Sequence, residues 1–129
     1  MTDARKRLEQ RLAKGLQRAA VYFYTQHMQR LSVPSPHRRI RGRMVYTNPS
    51  QPPEYPKLRT GAGRDSTWWE PRSIQAIIAA GLKVRIGYKP TIRHRVGNHL
   101  LALEHKGWSG LAKTLADTKP QLAALITAS

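Results

Sequence analysis

Pro34-Ser35-Pro36-His37-Arg38-Arg39-Ile40-Arg41-Gly42-Arg43 opens a segment, residues 34–64, that decides how this chain is organised. The segment holds six of the nine prolines, and four arginines (Arg38, Arg39, Arg41, Arg43) fall within six positions. It closes on Lys57-Leu58-Arg59-Thr60-Gly61-Ala62-Gly63-Arg64. Proline at this density removes backbone donors and excludes a helix. The charge excludes a place in the core. The segment therefore reads as a basic, extended arm over residues 32–64. Arg38 to Val45 is expected to be extended, with Ile40, Met44 and Tyr46 as its apolar contacts. Asn48-Pro49-Ser50-Gln51-Pro52-Pro53 reads as a polyproline-like turn region. Loops beyond about 15 residues are uncommon in compact domains unless they serve a function or stay disordered.

Length and charge bound the rest. The chain has 129 residues, enough for one domain with one modest core. Its formal charge is +16, from 23 basic and 7 acidic side chains. Such an excess repels itself and favours an anionic partner: nucleic acid, an acidic protein surface or anionic lipid. The absence of cysteine excludes disulfides and thiolate metal sites. The N-terminus lacks the apolar run of a signal peptide. No stretch approaches the roughly 20 apolar residues of a membrane span, so no membrane partner is expected.

Outward from the arm, residues 3–31 predict one long amphipathic helix. Leu8, Leu12, Leu16, Ala19 or Ala20, Phe23, His27 and Leu31 recur at steps of three and four. Thr2 or Asp3 is the candidate cap. Arg5, Lys6, Arg7, Arg11, Lys14 and Arg18 cover much of the opposite surface. Tyr22, Phe23 and Tyr24 point about 100° apart on a helix, so they cannot share one core, and packing under the arm is expected for them.

Beyond the arm, Ser66 to Glu70 predicts a strand, and Pro71 to Ala80 a short helix with Pro71 in its first turn and Gly81 at its end. Leu82 to Tyr88 alternates as a strand, and Ile92 to Val96 alternates too. A hairpin turn at Lys89-Pro90-Thr91 would set Arg85 opposite Arg95 and give that face an appetite for anions. Asn98 is placed to cap a helix from His99 to Lys106. Leu111, Leu115, Leu122, Leu125 and Ile126 are expected to form the buried line of a last helix, packed closely on the first. Pro120 should kink that helix or restart it with Thr118 as cap.

Catalysis is not expected. His94, His99, Glu104 and His105 lie close in sequence, but their spacing fits no zinc pattern. The seven acids are scattered, so no general acid–base pair stands out. No phosphate loop or serine elbow is present. No cofactor or metal is expected. The fold class is α+β, a single domain over residues 1–129. A small antiparallel sheet would be flanked by a long N-terminal helix and a C-terminal helix, with the Pro/Arg-rich arm between. The arm contacts expected to meet partners are Arg38, Arg39, Arg41, Arg43, Lys57, Arg59 and Arg64. Arg85, Arg93 and Arg95 are expected to face DNA or an acidic surface.

The order of these features resembles one family. Pro52-Pro53-Glu54-Tyr55-Pro56-Lys57-Leu58-Arg59-Thr60-Gly61, then Val84-Arg85-Ile86-Gly87-Tyr88, then Leu103-Glu104-His105-Lys106-Gly107, then Leu111 to Ile126, follow in sequence. In this the chain resembles the small head–tail joining (neck or tail-completion) proteins of tailed bacteriophages. The resemblance implies a non-enzymatic virion protein that assembles as a homo-oligomeric ring. Its partners would be portal, adaptor, tail-tube or terminator proteins, with non-specific DNA contact in the channel. It would be made in the host cytoplasm and reside in the virion neck. The alternative is a stand-alone basic nucleic-acid-binding protein.

Overall fold

The computed structural model describes residues 2–46, 50–57, 62–89 and 99–128, without the side chains at 62, 63, 99, 101 and 102. The chain is α+β, as the sequence predicts. Helix α1 runs from Asp3 to Arg30. The Thr2 hydroxyl caps it by accepting from the Arg5 backbone N–H at 3.3 Å. Its buried face is made of small residues and two rings: Ala13, Gly15, Ala19, Ala20, Phe23 and His27.

Against this face lies helix α5, Leu111–Thr127, in the most extensive contact between any two described elements. The helices are antiparallel: Gly15 meets Ile126, while His27 meets Thr114. On that register α5 ends near residue 13 of α1. The first turns of α1 run past it, so Leu8 is half exposed instead of buried as expected. The expected buried line of α5 also shifts. Thr114 and Thr118 are its buried residues, Leu111, Leu122, Leu125 and Ile126 are half-buried, and Leu115 is 51% exposed. Pro120 lies within one continuous helix, without a restart. Thr118 is not a cap. Its buried hydroxyl donates back to the Thr114 carbonyl at 2.7 Å.

The described strands form two separate antiparallel ribbons. Strand β1 (His37–Ile40) pairs with β2 (Arg43–Tyr46) within the arm. A single turn of helix, α2 (Ala62–Asp65), leads into β3 (Thr67–Glu70), which pairs with β4 (Arg85–Tyr88). Helix α3, Ile74–Ala79, lies between β3 and β4 in sequence. Its cap is Ser73, whose hydroxyl accepts from Ala76 N–H at 3.1 Å, so Pro71 precedes the helix and does not open it. Gly81, at φ +80°, ends it as expected. Ile77 is fully buried where α3 packs on α1. Helix α4, His99–His105, precedes α5. The expected strand at 92–96, its turn at 89–91 and the Asn98 cap fall wholly or partly outside the described residues.

Leu31, Tyr88 and Leu100 form a buried cluster, with Tyr55, Leu103 and Leu111 packed around it. It joins the end of α1, β4, α4 and the arm. Of the three adjacent aromatics, Phe23 is buried and stacks on His27, with centroids 6.0 Å apart. Phe23 borders an apolar groove between α1, β4 and α5, not the underside of the arm. Tyr22 borders Trp69, Arg72 and Leu125. No helix among the described residues is long and apolar enough to cross a membrane.

Candidate functional site

The arm is not extended throughout. Its first half is a hairpin, with registered pairs His37↔Tyr46, Arg38↔Val45, Arg39↔Met44 and Ile40↔Arg43. The link is the two-residue turn Arg41-Gly42, with φ of 51° and 77°. Two consecutive left-handed residues are what a type I′ hairpin turn requires. Glycine supplies that conformation freely. An arginine there is strained by about 1 kcal/mol, and asparagine would fit better.

Cross-strand partners share a face, and faces alternate along each strand. One face therefore carries Arg39 and Met44 beside the His37–Tyr46 ring pair, whose centroids are 6.0 Å apart. The other carries Arg38, Ile40, Arg43 and Val45. Every residue from His37 to Val45 is exposed, and Tyr46 is half-buried. Ile40, Met44 and Val45 are between 38% and 52% exposed. Among the described residues, none of the four arginines is paired with a carboxylate. The hairpin thus presents arginine and apolar side chains together on both faces.

The second half of the arm is fastened to its own body. Trp108 Nε1 donates to the Ser50 hydroxyl at 3.2 Å, and Ser109 N–H donates to the Glu54 carbonyl at 3.0 Å. The Ser109 hydroxyl donates to the Pro53 carbonyl. Tyr55 is anchored deeper. Its hydroxyl accepts from Arg30 at 2.7 Å and meets the Thr114 hydroxyl at 2.9 Å. Residues 50–57 are therefore a strap across the α4–α5 junction, and among the described residues of the arm the hairpin is the part that projects.

The other expected contacts divide accordingly. Lys57 is half-buried in a shallow concavity beside Arg30, Val33, Glu54 and Tyr55. Arg64 donates to Asp65 at 3.1 Å and reaches the Ser32 hydroxyl at 3.4 Å, which ties α2 to the end of α1. Arg85 is exposed, and its described cross-strand partner is Glu70, a favourable pairing of opposite charge. Arg59, Arg93 and Arg95 lie outside the described residues, as does the expected opposition of Arg85 and Arg95.

Sequence reasoning missed a buried polar chain behind the strap. His27 is fully buried. Its Nδ1 lies 2.8 Å from the Thr114 hydroxyl and its Nε2 lies 2.5 Å from the Tyr88 hydroxyl. Arg30 can only donate, so the Tyr55 hydroxyl accepts from it. A neutral His27 donates from one ring nitrogen and accepts at the other, which satisfies the Thr114 and Tyr88 hydroxyls on its two sides. Burial, reinforced by nearby Arg30, lowers its pKa to about 4. Arg30 also holds Asp117 at 2.8 Å. The sequence signal was a histidine on an otherwise apolar helix face, with threonines at 114 and 118 one turn apart.

Glu104 has a structural task. Helix α5 begins at Gly110 without a side-chain cap of its own. The Glu104 carboxylate, projecting from α4, accepts from Ala112 N–H at 3.3 Å. A carboxylate there also complements the positive end of the α5 dipole. An added Cβ at Gly110 would fall 2.7 Å from the carboxylate and push it out of this position. Among the described residues, no three His, Cys, Asp or Glu side chains gather as a metal site would require. No protein-family model matches the chain, and no curated protein or solved structure matches it either.

Proposed function

We propose that this chain is a structural subunit of the neck of a tailed bacteriophage, joining head to tail as a homo-oligomeric ring. The observation that carries the reading is the hairpin of residues 37–46. An isolated two-stranded hairpin is marginal in water. This one buries neither face against the described chain, yet displays four arginines and three apolar residues. Among the described residues no third strand pairs with either edge of the ribbon, and such edges invite pairing with another chain. Arginine and methionine are enriched in protein interfaces, where lysine is depleted, and the hairpin contains no lysine. Strain at Arg41 is consistent with an arginine retained for contact and not for folding.

The resemblance in the order of the arm, the Ile86-Gly87 step, Leu103-Glu104 and the last helix supports a neighbouring subunit, portal, adaptor or tail terminator as the partner. No catalytic step is assigned. The chain acts in the virion neck after synthesis in the host cytoplasm.

Replacing residues 37–46 by a short glycine turn is expected to abolish ring formation with portal or adaptor subunits, while the helical circular dichroism stays near that of the parent. Rings seen by electron microscopy with the deleted chain would overturn the reading. A subtler change should separate folding from function. Arg41→Asn relieves the strained turn, so it should stabilise the hairpin by up to about 1 kcal/mol. Assembly, titrated by analytical ultracentrifugation, should nonetheless weaken. The rival, a stand-alone nucleic-acid-binding protein, predicts monomers on DNA and no rings with or without the hairpin.

A further inference from the structure

A second cationic surface differs in kind from the hairpin. Arg7, Arg11, Lys14 and Arg18 recur at steps of four, three and four along α1, so they form one stripe. At about 1.5 Å per residue the stripe extends roughly 16 Å. Together with Gln10 and Ala128 these side chains line a concavity of about 280 Å³ where α1 passes the end of α5. All four cations are exposed. Arg18 is held in place by donating to the Leu125 carbonyl at 3.2 Å and to the Ala128 carbonyl. Arg7, Arg11 and Lys14 have no carboxylate partner among the described residues, and nearby Glu9 is engaged by Arg5 at 3.4 Å.

The arrangement is costly for the isolated helix. Like charges four apart each destabilise it by a few tenths of a kcal/mol, and cations in the first turns oppose the macrodipole. An anion lodged in the concavity reverses both costs. The chemistry of the lining says which anion. The stripe offers guanidinium, ammonium and amide groups with only Ala128 as an apolar neighbour. A protein interface needs an apolar core, which Ile40, Met44 and Val45 of the hairpin can supply and this surface cannot. A row of phosphates needs no such core, and arginine, lysine and glutamine are the side chains that hold it.

We infer that the stripe Arg7–Arg11–Lys14–Arg18 is a binding site for the phosphodiester backbone of nucleic acid, indifferent to base sequence. The inference goes beyond the ring reading and does not depend on it. Binding of a fluorescent duplex oligonucleotide, followed by anisotropy across a salt series, tests it. Each neutralised phosphate contributes about 0.9 to the slope of log K against log salt. The triple variant Arg7→Gln, Arg11→Gln, Lys14→Gln should therefore flatten the slope by about 2.7. Lys14→Gln alone should flatten it by about 0.9.

A charge-matched control, Lys83→Gln, Lys106→Gln, Lys119→Gln, removes three exposed lysines elsewhere and should leave the slope nearly unchanged. Because the triple variant relieves repulsion, its melting temperature should equal or exceed that of the parent, and ring formation should survive. Equal flattening by the control would mean that bulk charge, not the stripe, binds, and would overturn the assignment. So would stripe-dependent capture of polyglutamate or of phosphatidylserine vesicles with no stripe-dependent binding of the duplex.

Discussion

Gly15→Ala is expected to destabilise the fold by about 2 kcal/mol, although alanine is the better helix former. Gly15 is buried at the crossing of α1 and α5. A Cβ built on it would lie 2.8 Å from Ile126 Cα and closer still to the Ile126 carbonyl oxygen. These are backbone atoms, so no rotamer change makes room, and α5 must move as a unit. Overpacking of a close-packed site costs about 1–3 kcal/mol and more where the neighbour cannot yield. Against that stands the gain of about 1 kcal/mol from replacing a mid-helix glycine. The clash wins because separating the helices also loosens Ala13, Ala19 and the Arg18 bonds to the end of α5. Urea unfolding should show a lower midpoint with an unchanged slope. A midpoint at or above that of the parent would show that the helices do not approach this closely at Gly15.

What was legible in the sequence follows the periodic signals. The long helix, its Thr2 cap, the β3 strand and the Gly81 stop could be read because spacing and capping chemistry are local. The hairpin was hidden by its own charge. Arg38, Arg39, Arg41 and Arg43 break the alternation that marks a half-buried strand, since neither face of this ribbon is buried within the chain. The Arg41-Gly42 turn lacked the asparagine that signals a type I′ geometry. The strap was hidden because proline-rich sequence announces what it cannot form, not where it docks. Trp108 and Ser109, far along the chain, are what hold it. The burial of α5 was misjudged for a related reason. Leucine marks burial only on average, and here Thr114 and Thr118 are buried because their hydroxyls are satisfied, Thr114 by His27 of α1 and Thr118 by the Thr114 carbonyl, while Leu115 turns outward. Of the candidate contacts, the arginines of the hairpin were found by composition. The α1 stripe was visible as charge, but it became a site only once the end of α5 enclosed it.

Lowering the pH from 6.5 to 4 is expected to remove on the order of 3 kcal/mol of stability through His27 alone. The histidine has an ordinary pKa of 6.5 when the chain is unfolded and about 4 when folded. Between those values the unfolded state binds the extra proton and the folded state does not. Stability therefore rises with pH across this window, is complete above about 6.5, and is lost as pH falls toward 4. The physical cause is burial, which penalises the charged imidazolium, with the nearby Arg30 cation adding to it. Protonated His27 must donate from both ring nitrogens, so the Thr114 and Tyr88 hydroxyls must both accept from it. Thr114 also meets the Tyr55 hydroxyl at 2.9 Å, and Tyr55 in turn accepts from Arg30 at 2.7 Å, so the change reaches the strap. Asp117, held below the usual carboxylate range by Lys113 and then Arg30, pairs with Arg30 at 2.8 Å. Acid should thus loosen the strap at Tyr55 before it reaches the α1–α5 crossing at Gly15. The informative quantity is the difference between two profiles. Urea midpoints for the parent should fall steeply between pH 6.5 and 4, and those for His27→Gln should start lower and fall much less. Parallel profiles would show that His27 does not carry the acid sensitivity.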